Sequence, residues 1–132
     1  MRADFSGTYV LDRGGSTLAP GANAFESAEL RIDHREPVFR CQGKFAGKDK
    51  TFEYSFELMT DGRETVNGDT TSRMWWEGSA LASEYRTVTT DSVVTMSWRY
   101  ELRDGGRHLR AFERIEGGDH DQDNVWEFER QA

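Results

Sequence analysis

Apolar and polar side chains alternate along most of this chain, and a period of two is the spacing of a strand with one buried face. Val94, Met96, Trp98, Tyr100 and Leu102 make the most continuous such face. Phe39, Cys41, Gly43 and Phe45 form another, as do Phe52, Tyr54, Phe56 and Leu58. Ser72, Met74 and Trp76 share a face, then Leu81, Ser83, Tyr85 and Thr87, and finally Trp126 and Phe128. The intervening positions are wet: Glu53, Ser55 and Glu57, then Glu84 and Arg86, then Glu127 and Glu129. Trp75 breaks the alternation and is expected under a loop or in an exposed patch. Over Arg107–Glu116 two phases compete, with either Leu109, Ala111 and Ile115 or Arg110, Phe112 and Arg114 facing inward.

These patterns predict strands over Phe5–Leu11, Ala28–His34, Val38–Phe45, Thr51–Thr60 and Glu64–Asn67. Five more follow over Thr71–Glu77, Ala80–Thr89, Ser92–Arg103, Arg107–Glu116 and Asn124–Arg130. Asp61-Gly62, Glu77-Gly78, Asp104-Gly105-Gly106 and Gly117-Gly118 separate several of them and tolerate the positive φ of tight turns. Residues Arg13 to Phe25 have no periodicity and read as a connection rich in Gly, Ser, Ala and Pro. No long helical period occurs. Short antiparallel strands joined in sequence must close on themselves to protect their edges. The prediction is an all-β, antiparallel up-and-down barrel of about ten strands, one domain over residues 1–132, without a substantial helical lid. A barrel of that size encloses volume instead of filling completely with side chains.

Composition agrees and removes several functions. Eight Phe, four Tyr and four Trp among 132 residues argue against disorder, despite a mean hydropathy of −0.80. A net charge of −7 and a pI near 5.0 provide no basic face, so nucleic acid is not an expected partner. No apolar run is long enough for a membrane-spanning helix. The single Cys41 excludes an internal disulfide framework and any cysteine-rich zinc site. Met1-Arg2-Ala3-Asp4 leads directly into strand-like sequence without a secretory leader, which together with the lone thiol predicts a cytoplasmic protein.

The opening Phe5-Ser6-Gly7-Thr8-Tyr9-Val10-Leu11 resembles the first strand of lipocalin-type proteins, with Tyr9 at the position of the signature tryptophan. Length, strand order and the closing Phe128-Glu129-Arg130-Gln131-Ala132 are similar to the fatty-acid-binding-protein branch of the calycin superfamily. Small bacterial lipocalin-like proteins that open with Asp-Phe-Ser-Gly-Thr look closest. The resemblance implies a ligand-binding barrel, with two departures. Arg13–Phe25 is too short and too rich in glycine for the family's helix–turn–helix lid, which leaves a flexible loop over the mouth. The family's carboxylate anchor of two arginines and a tyrosine falls on Tyr100, Trp126 and Phe128, so rings replace the cations. A fatty-acid carboxylate buried there without a cationic partner would cost several kcal/mol.

The expected site is therefore apolar and aromatic: Tyr54, Phe56, Met74, Trp76, Tyr85, Met96, Trp98, Tyr100, Trp126 and Phe128. It would hold a small hydrophobic molecule, aromatic or polyene-like, with the Tyr54, Tyr85 and Tyr100 hydroxyls orienting it. No cofactor and no metal are expected. His34, His108 and His120 are far apart, and Asp119-His120-Asp121-Gln122-Asp123 reads as a solvated hairpin loop more than as a cation site. Cys41 reads as a small buried hydrophobe. Two other functions fit the same sequence. One is a small isomerase or cyclase using Glu113, Arg110, Arg114 or a tyrosine as acid or base; the other is a filled barrel that acts through its surface.

Overall fold

The computed structural model describes residues 3–20, 22–117 and 121–131. All ten expected strands are present: β1 (Gly7–Leu11), β2 (Phe25–Arg35), β3 (Val38–Gly47), β4 (Thr51–Met59) and β5 (Thr65–Asn67). They continue with β6 (Thr70–Glu77), β7 (Ala80–Val88), β8 (Val93–Arg103), β9 (His108–Glu116) and β10 (Gln122–Arg130). Every hydrogen-bonded pair is antiparallel, in the order β4-β3-β2-β1-β10-β9-β8-β7-β6-β5. The first and last strands pair directly, Tyr9 opposite Arg130 and Leu11 opposite Phe128. One seam remains unladdered, between β4 and β5. It is bridged at one end by Asp61 pairing with Trp75 and by the Gly62 N–H donating to the Met74 carbonyl at 2.8 Å.

Strand β2 begins at Phe25, earlier than the sequence pattern indicates, because Phe25 pairs with Gly47 across a register shift. The turns use the expected glycines, with positive φ at Gly62, Gly78, Gly105, Gly106 and Gly117. Gly117 has a further reason: a Cβ there would sit 2.0 Å from the Val93 carbonyl oxygen. Gly118, Asp119 and His120 lie outside the described residues. Of the acidic stretch they belong to, Asp121 accepts from the Gly117 N–H at 3.1 Å and Asp123 pairs with Arg114 at 3.2 Å.

The competition over β9 is resolved. Leu109, Ala111 and Glu113 are buried, so the odd-numbered phase faces inward and Arg110, Phe112 and Arg114 face outward. Trp75 lies on the outer face, donating from Nε1 to Glu77 at 3.3 Å with the Arg73 guanidinium 4.6 Å from its ring.

The interior is packed at one end. Phe5, Tyr9, Phe39, Met74, Leu81 and Leu109 are each 0% exposed. Beneath them the β2–β3 turn folds across the opening. His34 accepts the Phe5 N–H on Nδ1 at 3.1 Å, and its Nε2 meets Glu36 at 3.2 Å. Glu36 also accepts from the Thr60 hydroxyl and from Trp76 Nε1, the latter at 3.0 Å. One carboxylate thus joins β2, the end of β4 and β6 across the seam. No helix of the described residues is long and apolar enough to cross a membrane.

Candidate functional site

The other end of the barrel is hollow. A cavity of about 480 Å³ opens there, its wall built mostly from rings. The inward phase of each strand decides its lining: Tyr54 and Phe56 from β4, Tyr85 from β7, Met96, Trp98 and Tyr100 from β8, and Trp126 from β10. These seven expected residues lie on the wall. The other three do not. Met74 is 0% and Phe128 1% exposed in the packed end, and Trp76 stacks among Phe5 and His34 beside Glu36. They share the inward phase with the cavity residues but sit deeper along their strands, where the rings of opposite walls meet and leave no space.

One local feature shapes the chamber. Gly43 on β3 pairs with Tyr54 on β4, and a Cβ at Gly43 would lie 2.4 Å from the Tyr54 ring. The missing side chain lets Tyr54 lie flat across the neighbouring strand, with its hydroxyl beside the Cys41 thiol. Tyr54 also stacks on Phe56 at 6.1 Å and on Phe45 at 6.0 Å. Trp98 and Tyr100, two apart on β8, stack with an interplanar angle of 3°.

Burial controls the titration of these groups. It pushes the Cys41 thiol up to about 12 and raises Tyr54, Tyr85 and Tyr100 further still. All four therefore stay neutral near physiological pH, which leaves Cys41 without thiolate character. The Ser83 hydroxyl tempers the shift of Tyr85, yet both oxygens are buried without a hydrogen bond of standard geometry. A hydroxyl left so costs about 1–3 kcal/mol.

Asn124, Phe25, Phe45, Phe52 and Ile115, which are outside the expected ligand set, also line the cavity, as does Glu113, which the sequence offers as an acid or base of the catalytic alternative. Glu113 is 9% exposed and is the one charged side chain on the wall among the described residues. Asn124 Nδ2 donates to its Oε1 at 2.9 Å and Trp126 Nε1 donates to the same atom at 3.1 Å. Desolvation raises the Glu113 pKa, opposed by those two donors. The signal was available: Glu113 sits in phase between Ala111 and Ile115, and Asn124 in phase with Trp126. The expected ligand set contains no carboxylate, and Glu113 on the cavity wall corrects it.

Asn124 also reaches the connection above. Its Oδ1 accepts the Ala19 N–H at 2.7 Å, while Thr17 and Val125 exchange both backbone bonds at 2.8 Å. Ser16 Oγ accepts the Glu127 N–H at 2.8 Å. The segment from Asp12 to Ala19 is thus a strap laced to β10, where a flexible loop was expected, and Ala22 from the three-residue 3₁₀ turn before β2 forms part of the cavity wall.

No protein-family model matches this sequence, and no curated protein matches it. Solved structures do. Human cRBP IV superposes with a TM-score of 0.65 at 15% identity, over 98% of this chain and 99% of that one. A fatty acid transporter, REP1-NXSQ, gives 0.59 at 15% identity over 98% and 97%. The fold is that of the fatty-acid-binding-protein barrels. Secretory abundant heat soluble protein 4 from Ramazzottius varieornatus is similar as well, with a TM-score of 0.62 at 12% identity over 100% and 99%. Within this fatty-acid-binding-protein fold, the present chain has no Arg or Lys on its cavity wall among the described residues. Of the three rings expected at the anchor positions, Tyr100 and Trp126 line the cavity, while Phe128 lies below it in the core.

Proposed function

We propose that the chain binds a small hydrophobic molecule, aromatic or polyene-like, in the hollow end of its barrel. The observation that carries this reading is an unfilled, ring-lined chamber of about 480 Å³ directly above a core with no such space. A folded protein that leaves this much apolar surface facing a void forgoes about 25 cal/mol for each Å² left unburied, which an apolar ligand recovers. Planar groups suit the stacked walls, since rings prefer offset or edge contacts. The neutral hydroxyls of Tyr54, Tyr85 and Tyr100 supply orientation.

Diphenylhexatriene, a neutral aromatic polyene that fluoresces in apolar surroundings, tests this. The expected result is saturable binding of one probe per chain with quenching of tryptophan emission, weakened by Trp98→Ala. Absence of saturable binding would refute it.

An acid–base function in the same cavity has one group to draw on. The tyrosines are pushed too high to exchange protons readily, whereas the raised Glu113 could do so. That reading requires turnover that E113Q abolishes while probe binding persists.

A further inference from the structure

The carboxylate of Glu113 is the group the hydrophobic reading leaves unexplained. It points inward from β9, directly opposite Trp98 on β8 and hydrogen-bonded to Trp126 and Asn124 on β10. Both protein donors converge on Oε1. Oε2 receives no hydrogen bond from the described residues, and no Lys, Arg or His approaches it. An ionised carboxylate held in apolar surroundings without a counter-charge is costly and calls for a donor or a cation.

The rest of the wall offers no positive charge. Trp98, Tyr100, Tyr54 and Trp126 line the chamber, and aromatic faces are electron-rich. Oε1 is satisfied, Oε2 is not, and the space beyond it is bounded by rings with no cation. A ligand carboxylate would meet a like charge and no cation, only neutral hydroxyl and amide donors. A protonated nitrogen would meet a carboxylate oxygen in a wall of aromatic rings.

We infer that the cavity selects lipophilic amines, with the apolar body in the aromatic chamber and the ammonium at Glu113. This deepens the hydrophobic-ligand reading and rests on it. If Glu113 holds its proton in the empty cavity, an amine entering as the free base takes that proton, and one entering as the ammonium displaces it to solvent; both give the same ion pair.

Three ligands with one tail and different heads make the test: dodecylamine, dodecanol and dodecanoate, each displacing diphenylhexatriene from the intact chain at neutral pH. The amine is expected to bind at least about tenfold more tightly than the alcohol, the scale of one charge-assisted hydrogen bond. Dodecanoate is expected to bind more weakly than the alcohol. E113Q, which keeps an acceptor for Asn124 and Trp126, should erase the amine's advantage and leave the alcohol within about threefold. In the unmodified chain the advantage should shrink as pH falls and Glu113 protonates, a measurement independent of how any variant folds. An amine no tighter than the alcohol, or an advantage that survives E113Q, overturns the inference while the hydrophobic reading stands. Failure of the probe and all three ligands overturns both.

Discussion

The two ends of this barrel are made from the same kinds of residue in the same alternating phase, yet one is solid and the other hollow. Along β4 the inward face runs from Phe52, 55% exposed at the mouth, to Leu58, 4% exposed at the closed end. At the closed end the β2–β3 turn, the segment preceding β1 and the carboxylate of Glu36 fill and tie off the opening. At the mouth the strap from Asp12 to Ala19 is fastened along β10 and leaves space beneath it. Phase determines which side chains point inward. Depth along the strand determines whether an inward ring becomes core or wall.

The sharpest way to break this contrast is to truncate one ring at each end. Phe39 touches Phe5, His34, Phe56 and Tyr100. Phe39→Ala should lower the unfolding free energy by about 3–5 kcal/mol, whereas Phe52→Ala should change it by no more than about 0.5 kcal/mol. Equal losses in urea titrations of the two variants would mean that the ends are not energetically distinct.

A smaller effect is expected where the halves meet. Gly43→Ala places a methyl group against the Tyr54 ring, which must leave its place on β3. Such overpacking costs about 1–3 kcal/mol, and the displaced ring should alter diphenylhexatriene affinity as well. Unchanged stability and affinity would show that Tyr54 does not need the gap.

The smallest effect is a pH dependence. Glu113 is raised above its ordinary 4.5, so the folded chain holds that proton more tightly than the unfolded chain does. Its contribution to stability is complete below 4.5 and is lost as pH rises through the folded value. E113Q should remove this component from the pH profile of the urea midpoint. A profile identical to that of the unmodified chain would mean that Glu113 is not desolvated.

Much of the fold could be read in the sequence because alternation and turn chemistry are local. Phe39, Cys41, Gly43 and Phe45 declare a face without reference to any other strand, and Gly62 and Gly78 mark turns by their own conformational freedom. The site was legible in part. Met74, Trp76 and Phe128 were grouped with Trp98 and Trp126 because alternation carries no coordinate along the barrel axis. Glu113 could be read as an acid or base candidate, but its setting could not: its two partners lie on β10, 11 and 13 residues away in sequence, and only the β9–β10 register brings them together. The strap reads as loose from its composition, while each of its anchors to β10 uses at least one backbone group, which composition does not reveal.

The unladdered seam between β4 and β5 gives the whole structure a mechanical character. A complete ring of strands must break ladder bonds to admit anything wider than its bore, but a ring with one open joint can flex there like a spring clip. The Gly62–Met74 contact and the Glu36 bridge hold that joint at the closed end, so the give is greatest toward the mouth. For the ligand proposed above, entry by a hinge-like parting of these two neighbours would leave the core beneath undisturbed.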